Sequence, residues 1–559
     1  MRRLLFVLLT VCAGGPAPAQ PATHHMVAAA HPLAAEAGLQ VLRDGGTAAD
    51  ATVAIQMVLA LVEPQSSGLG GGSLALSYVK ATSEVLAWDG REAAPAAAGP
   101  DLFLGRDGKP MPYIEAALGG RAVGVPGAIR MLEALHRAQG KLAWDRLLAP
   151  AIRLAEQGFA ISPRLAVSIA ADAEHLRRQP AARAYFFQPD GTALPAGAIL
   201  VNRPLADTLR AIAAGGADAL LRGPIASEIA TTVRSDPSPG LITTDDLAAY
   251  TARSRPAVCG EYRGRRVCGM GPPSSGGVAV LQILGLLEHF DVAGLEREGV
   301  DQAQLLIEAE KLAYADRNKY LADTAFVAVP LHGLLDPAYL TIRAQGISLD
   351  HANPAPVAGN PEFGKSDLAP ALPQPEHGTS QIAVIDDLGN AVSMTTTVQD
   401  PFGSRLMVRG FLLNDELTDF AFMPESDGRS VANRVEGGKR PRSSMSPTLV
   451  FMPDGALSIV AGSQGGGRII GFVAQTLIRM IDLGMTPQQA IAAPHIQTTG
   501  IVAEIEADTS AAKLAELLRA RGQTVRVIPI DSGQQAIMVT PTGMIGAGDP
   551  RREGLALGD

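Results

Sequence analysis

A proline-rich stretch about two thirds of the way along the chain restricts its folding more than any other feature. From about residue 349 to residue 378 the sequence contains Pro354, Pro356, Pro361, Pro370, Pro373 and Pro375. Because proline fixes φ and lacks a backbone N–H, neither a helix nor a central strand can run through this stretch. It ends at Gly378, and the alternating segments TSQIAVID and NAVSMTTTV follow from Thr379 onward. The sequence therefore predicts a loop or mobile tail that ends at the first strand of a sheet.

Helix and strand patterns occur on both sides of this stretch. Residues 31–62 predict two helices that are separated at Gly45-Gly46, with Thr47 or Asp50 capping the second. SLALSYV and EVLAWDG predict strands, a long amphipathic helix is expected over about 301–323, and a hairpin is expected to turn at Pro453-Asp454-Gly455. Helices and strands mixed in this way indicate a layered α/β or α+β architecture.

The N-terminus has the features of an export signal. A basic start is followed by an apolar run from Leu4 to Val11 and by the small residues Ala17-Pro18-Ala19. We therefore expect residues 1–19 to be a signal peptide, with the mature chain starting near Gln20; a lipoprotein modified at Cys12 is the alternative. No later segment predicts a membrane span. The net charge of −9, from 47 Lys and Arg against 56 Asp and Glu, argues against a nucleic-acid partner.

Two cysteines remain in the expected mature chain, and both lie in AVCGEYRGRRVCGM. A two-residue turn at Arg263-Gly264 would place Cys259 and Cys268 directly opposite each other on antiparallel strands. Such residues lie within disulfide reach. Export favours a structural bridge over two buried thiols.

The hairpin after Gly378 brings two hydroxyl groups together. Its loop is expected to be Asp387-Leu388-Gly389, with the glycine in the left-handed position. In that register Asp386 pairs with Asn390, and Thr379 faces Thr397. Taken alone, this arrangement also fits an ordinary threonine pair between neighbouring strands.

Several common catalytic motifs are absent from the sequence, including GxSxG, HExxH and CxxC. The ten histidines show no metal-binding spacing. The sequence therefore predicts no site of these kinds.

An ordered set of segments resembles the γ-glutamyltransferases. Downstream of Gly378 these are GTSQIAVIDDLGNAVSMTTTV, GFLLNDELTDF, GGKRPRSSMSPTLVF and GSQGGGRII; upstream they are LRDGGTAADATVAI, GLGGGSLAL, DGREAAPA, GVPGAIRMLEALHRAQG, PPSSGGVAVLQIL and ADRNKYLAD. The resemblance implies an α+β fold, the four-layer αββα sandwich of N-terminal-nucleophile hydrolases. It also implies that the chain cuts itself before Thr379 into a large subunit, 20–378, and a small subunit, 379–559, which stay associated.

The resemblance also assigns roles to individual residues. Thr379 is the implied nucleophile, and cleavage would give it a free α-amine with a pKa near 8, suited to act as its base. Thr397 would hydrogen-bond the nucleophile, and Gly465 and Gly466 would form the oxyanion hole. The implied substrate-binding residues are Arg91, Gln399, Glu416, Asp419, Ser443 and Ser444, with Arg91 and the serines on the substrate α-carboxylate and Asp419 on its α-ammonium.

The implied activity is hydrolysis or transfer of γ-glutamyl groups, from glutathione and related compounds, through an ester on Thr379. No metal or organic cofactor is implied, and the expected partner is a small γ-glutamyl substrate in the periplasm or outside the cell. Two alternatives stay open: an acylase for glutaryl-type amides such as cephalosporins, and an exported binding protein without catalysis.

Overall fold

The computed structural model describes residues 21–361, 367–371 and 378–559. The expected signal peptide and Cys12 lie outside the described residues. The described residues between 349 and 371 contain turns and an isolated bridge from Ala369 to Val431, but no helix or strand.

The strands of the described residues follow in chain order. They are β1 (Met26–Ala29), β2 (Gly72–Val79), β3 (Glu84–Gly90), β4 (Phe159–Ala160), β5 (Ile199–Leu200), β6 (Arg253–Pro256), β7 (Val258–Tyr262), β8 (Arg265–Gly269), β9 (Ser380–Ile385), β10 (Ala391–Thr397), β11 (Met407–Val408), β12 (Phe411–Leu412), β13 (Glu425–Ser426), β14 (Arg429–Ser430), β15 (Thr448–Phe451), β16 (Leu457–Gly462), β17 (Ile496–Thr498), β18 (Val502–Glu506), β19 (Thr524–Ile528), β20 (Gln535–Thr540), β21 (Gly543–Gly548) and β22 (Leu555–Gly558).

The α-helices are given in the same way. They are α1 (Pro32–Arg43), α2 (Ala48–Val62), α3 (Tyr113–Ala117), α4 (Ala128–Gln139), α5 (Trp144–Gln157), α6 (Pro163–Ala171), α7 (Ala173–Leu176), α8 (Pro180–Phe186), α9 (Arg203–Gly215), α10 (Asp218–Leu221), α11 (Gly223–Ser235), α12 (Thr244–Ala249), α13 (Gly276–Leu287), α14 (Val300–Tyr320), α15 (Leu331–Leu334), α16 (Pro337–Ala344), α17 (Ile469–Ile481), α18 (Pro487–Ala492) and α19 (Ala515–Ala520).

Two large antiparallel sheets lie face to face at the centre of the molecule. One has seven strands in the order β22-β1-β9-β10-β2-β3-β6, and the other has six in the order β21-β20-β16-β15-β8-β7. Helices α1, α2 and α4 pack on the outer face of the first sheet, and α13, α17 and α18 pack on the outer face of the second. The predicted four-layer αββα sandwich of the α+β class is therefore confirmed.

The alternation of side chains along β9 decides which layer each residue faces. Ile382 and Val384 belong to the core shared with α1 and α2, whereas Ala383 and Ile385 belong to the core between the two sheets. Since side chains point to opposite faces with a period of two, even-numbered residues of β9 face the helices and odd-numbered residues face the second sheet.

The predicted register of the β9–β10 hairpin is present. Asp386 N–H donates to Asn390 O at 3.0 Å, Gly389 has a φ of 77°, and the last paired residues are Ser380 and Thr396. Thr379 precedes this last pair by one residue, and Thr397 follows it by one. The predicted Cys259–Cys268 disulfide is also present, with the two residues opposite each other on β7 and β8.

Other local predictions hold as well, with one difference. Thr47 caps α2 through a reciprocal pair of hydrogen bonds with Asp50. The expected amphipathic helix is α14, but it is buried on most of its circumference because it lies between α13 and β17. In the described part of the chain, no helix combines the length and apolar character needed to cross a bilayer.

Candidate active site

The backbone at the expected cleavage point is in an unusual conformation. Gly378 has a φ of 47° and Thr379 a φ of 136°, where a β-branched residue is a genuine outlier. A side chain on Gly378 would clash with the carbonyl oxygen of Gln399, because a Cβ placed there lies 1.9 Å from it. Thr379 itself is buried. The tight fit against Gln399 therefore holds the Gly378–Thr379 peptide in a strained geometry that costs on the order of 1–3 kcal/mol.

Gln399 joins the region around Thr379 to a second cluster of polar residues. Its backbone N–H donates to Thr397 Oγ1 at 2.7 Å, and its side-chain Nε2 donates to Asp419 Oδ1 at 2.9 Å. The residue has a φ of 79°, so it is a second non-glycine residue in the left-handed region at this site. Its backbone thus contacts the expected nucleophile pair, and its side chain contacts the expected substrate pocket.

Gly465 and Gly466 form the turn between β16 and α17. Their φ values are 126° and 58°, so both need the conformational freedom of glycine. Neither backbone N–H donates to an acceptor in the residues that the structure describes. The turn lies toward Thr379, because Ala461 O accepts from Ser393 on β10 and Gly462 packs against the Gln381 amide on β9. The backbone N–H groups of Gly465 and Gly466 could therefore donate to a negatively charged oxygen formed near Thr379.

Arg91 is the centre of the second cluster and is 1% exposed. Its guanidinium donates to Glu416 and Asp419, and also to the carbonyl oxygens of Pro441 and Arg442 at 3.1 Å each. Burial disfavours its charge, but the carboxylates of Glu416 and Asp419 outweigh this effect and raise the pKa of Arg91 above its usual value. Arg91 is therefore a fixed cation at every working pH.

Ser443 and Ser444 directly follow the two carbonyls that Arg91 binds. Both serines are buried. Ser443 Oγ accepts from Met445 N at 3.1 Å, and Ser444 Oγ accepts from the guanidinium of Arg317. The structure thus brings Arg91, Gln399, Glu416, Asp419 and the two serines into one continuous polar region.

Comparison with known proteins identifies the family. Residues 34–558 match the family described as Gamma-glutamyltranspeptidase. The chain belongs to this family. It is 38% identical to a glutathione hydrolase proenzyme of Bacillus subtilis strain 168, over 95% of this chain and 91% of the relative. It is 36% identical to the enzyme of the same name from Escherichia coli K12, over 94% and 90%.

A solved structure gives the same result for the fold. The cephalosporin acylase from Bacillus halodurans superposes with a TM-score of 0.84 at 27% identity, covering 99% of each chain. The family, the fold and the enzyme class predicted from the sequence are therefore confirmed, and the chain is an enzyme of the γ-glutamyltranspeptidase family.

The structure also places residues at the site to which the sequence analysis gave no role. Tyr113, on α3, donates its hydroxyl to Asp400 Oδ1 at 3.0 Å and accepts from Gln399 Nε2 at 3.3 Å. Nothing in the local sequence MPYIEAA marks this tyrosine. Arg317 lies in ADRNKYLAD, a segment that resembles the family, but only the fold shows that its side chain reaches Ser444.

Glu92 is a further buried acid beside the site. It is 0% exposed, and its Oε2 lies 3.6 Å from Arg91. Burial raises the pKa of Glu92 and outweighs the opposing effect of Arg91, which leaves it at about 8. Its carboxyl group is therefore mostly neutral near pH 7. In the described residues, no group of three or more His, Cys, Asp or Glu side chains is arranged to hold a metal ion.

The raised pKa of Glu92 predicts how stability depends on pH. From about pH 4.5 to 8 the folded chain keeps a proton that the unfolded chain has lost, so stability falls as pH rises through this window. Glu92→Gln is neutral throughout. We expect the variant and the wild type to melt at similar temperatures near pH 5, with the variant gaining roughly 1.4 kcal/mol per pH unit relative to the wild type as pH rises. If the difference in stability between Glu92→Gln and the wild type stays constant from pH 5 to 8, Glu92 is not neutral in the folded chain.

Proposed function

We propose that this chain is made as an inactive precursor that cuts itself between Gly378 and Thr379. Thr379 Oγ attacks the Gly378 carbonyl carbon, the C–N bond breaks to give an ester, and water hydrolyses the ester. The strained φ of Thr379 is the observation that supports this step most directly, because cleavage releases the constraint on its backbone. The products would be the large subunit 20–378 and the small subunit 379–559.

The two subunits would stay associated after the cut. Strand β9 of the small subunit lies between β1 of the large subunit and β10, and β10 pairs in turn with β2 of the large subunit. The six-stranded sheet is likewise shared, since β8 pairs with β15. Separation would break backbone hydrogen bonds in both central sheets. The relatives named above are described as proenzymes, in agreement with this maturation.

Cleavage supplies the catalytic base. Before the cut the nitrogen of Thr379 is an amide, which cannot take up a proton; afterwards it is an α-amine, whose ordinary pKa is about 8. The amine removes the Thr379 hydroxyl proton as Oγ attacks the γ-carbonyl of the substrate. Thr397 accepts from Gln399 N and so keeps its own O–H to donate to Thr379.

The tetrahedral intermediate places its negative oxygen on the N–H groups of Gly465 and Gly466. The departing amine takes the proton held by the α-amine, leaving a γ-glutamyl ester on Thr379. Water, or the amine of an amino acid or peptide, then attacks this ester. Glutathione is our proposed donor, since two relatives are named glutathione hydrolases.

Recognition of the γ-glutamyl group follows from the charges around Arg91. The substrate α-carboxylate would replace Asp419 at one guanidinium nitrogen, with Ser443 and Ser444 as hydroxyl partners. Asp419 would then turn to the substrate α-ammonium, with Gln399 and Glu416 beside it. An acylase substrate without an α-ammonium would leave these buried carboxylates uncompensated, which favours the γ-glutamyl donor over a glutaryl amide.

The first prediction from the proposed function concerns maturation. Intact-mass analysis of the wild type, purified from an exporting host, should show a small subunit that begins TSQIAVID and a large subunit that begins near Gln20. Thr379→Ser keeps a hydroxyl nucleophile and should also be cut, whereas Thr379→Ala should remain a single inactive chain. An uncut wild type that hydrolyses γ-glutamyl substrates would disprove the proposed mechanism.

The second prediction concerns the substrate. L-γ-glutamyl-4-nitroanilide and glutaryl-4-nitroanilide differ only in the α-ammonium group. We expect kcat/KM to be about 10–10² times higher for the γ-glutamyl compound, as a hydrogen-bonded charge contributes about 1.5–3 kcal/mol. Asp419→Asn should lower kcat/KM for the γ-glutamyl compound alone, so the ratio of kcat/KM between the two substrates should decrease. Equal rates, or a preference for the glutaryl amide, would identify an acylase instead.

The third prediction concerns Arg91. Arg91→Ala would leave the bound substrate α-carboxylate without its buried cation, and truncating one partner of a buried, hydrogen-bonded charge pair costs about 2–5 kcal/mol of binding. We expect kcat/KM for the γ-glutamyl anilide to fall roughly 10²–10³-fold or more, at 1.36 kcal/mol per tenfold. Self-cleavage should persist, because Arg91 lies at the far end of the substrate. Near-normal activity of a fully cut Arg91→Ala enzyme would show that the assignment is wrong.

A further inference from the structure

Ser380, the residue next to the proposed nucleophile, is held by a buried acid that has no role in the mechanism above. Ser380 is 0% exposed, and its hydroxyl donates to Glu63 Oε2 at 2.7 Å. Ser67 Oγ donates to the same Ser380 oxygen at 3.2 Å. The even-numbered side of β9 faces the helices, so Ser380 points toward the end of α2, where Glu63 is the C-cap residue. Thr379 directly precedes Ser380, just before β9 begins.

Glu63 is itself kept in place by a cation. It is 0% exposed, and its second carboxylate oxygen, Oε1, accepts from Arg164 Nη1 at 3.1 Å. Arg164 is 19% exposed at the start of α6. A carboxylate without water is stable only when it is paired and hydrogen-bonded, and both conditions are met here by Arg164 and Ser380. Among the described residues, the carboxylate is thus held by Arg164 and by Ser380, the residue that follows Thr379.

Further polar contacts extend from Arg164 to the glycine turn at Gly465 and Gly466. Asp531 lies 3.8 Å from Arg164 and accepts from Arg552 Nε at 2.9 Å. Arg552 also donates to the side chain of Gln464, which directly precedes Gly465. Polar contacts therefore connect Ser380, next to the proposed nucleophile, with Gln464, next to the glycine turn.

After the cut, Ser380 is the residue that connects Thr379 to the rest of the chain. After cleavage Thr379 is a chain terminus whose only covalent neighbour is Ser380, and chain termini are poorly ordered unless they are tied down. We propose that Glu63, fixed by Arg164, is a positioning residue that acts through the Ser380 hydroxyl to orient the Thr379 amine and hydroxyl. This inference rests on the proposed function of Thr379 and adds the residues that hold it.

The test compares variants of the full-length enzyme. Ser380→Ala and Glu63→Gln should each lower kcat for the γ-glutamyl anilide by roughly 10–10²-fold with KM within about twofold, since a misplacement of about 1 Å costs on that order. Ser380→Thr keeps the hydroxyl and should stay within about threefold of the wild type. Because Glu63 acts through Ser380, the double variant should be no slower than Ser380→Ala alone.

A matched control removes a buried serine hydroxyl elsewhere. Ser77, on β2, is 0% exposed and accepts from Trp88 Nε1 at 2.8 Å, away from Thr379. Ser77→Ala should lower the melting temperature without changing kcat. The positioning role is wrong if Ser380→Ala keeps full kcat, as Ser77→Ala should. It is also wrong if the losses of kcat caused by Ser380→Ala and by Glu63→Gln add in the double variant. Neither result would affect the proposed role of Thr379. A Thr379→Ala enzyme that is still cut and active would instead overturn the proposed function.

If a variant is purified largely as uncut precursor, its rate of self-cleavage is compared with that of the wild type instead of kcat. Gel densitometry of freshly purified precursor, over hours at fixed pH, gives this rate for every variant, and circular dichroism shows whether the chain is folded. Slow cleavage in folded Ser380→Ala, with normal cleavage in Ser380→Thr and Ser77→Ala, supports the same positioning role. Equal cleavage rates in all three would overturn it.

Discussion

The antiparallel pairing of β9 with β10 is the constraint on which the site depends. It fixes Ser380 opposite Thr396 and leaves Thr379 and Thr397 just beyond the last pair, at the edge where the two sheets face the glycine turn. A slip of one residue would reverse every side chain of β9. Ser380 would then face the other sheet and lose its contact with Glu63. The turn at Gly389 and the apolar residues of both faces together prevent that slip.

The two faces of β9 contact different parts of the site. Odd-numbered residues face the space between the sheets, where Gln381 packs against Gly462 and the glycine turn begins. Even-numbered residues face the first helical layer, where Ser380 meets Glu63. The strand therefore separates Gln381, which lies beside the glycine turn, from the contact of Ser380 with Glu63, although the two residues are adjacent in sequence.

At the recognition end, the Arg91 cation is surrounded by several acids. Arg91 contacts Glu416 and Asp419 directly and lies near Glu92, whose pKa burial raises to about 8. Keeping Glu92 neutral reduces the negative charge that Arg91 must balance. A zwitterionic substrate end adds one carboxylate and one ammonium, so the total charge of the pocket does not change when it binds.

The sequence by itself determined the local elements, the hairpin register, the disulfide and the family. Glycines at turns, alternation along strands and the ordered motifs are local properties, so Gly389 and the Cys259–Cys268 pair were predictable without coordinates. Only the tertiary structure decided which distant side chains meet. Tyr113 reaches Gln399, Arg317 reaches Ser444 and Glu63 reaches Ser380 across 286, 127 and 317 residues of chain. Such contacts depend on how whole layers pack, and no local pattern records that packing.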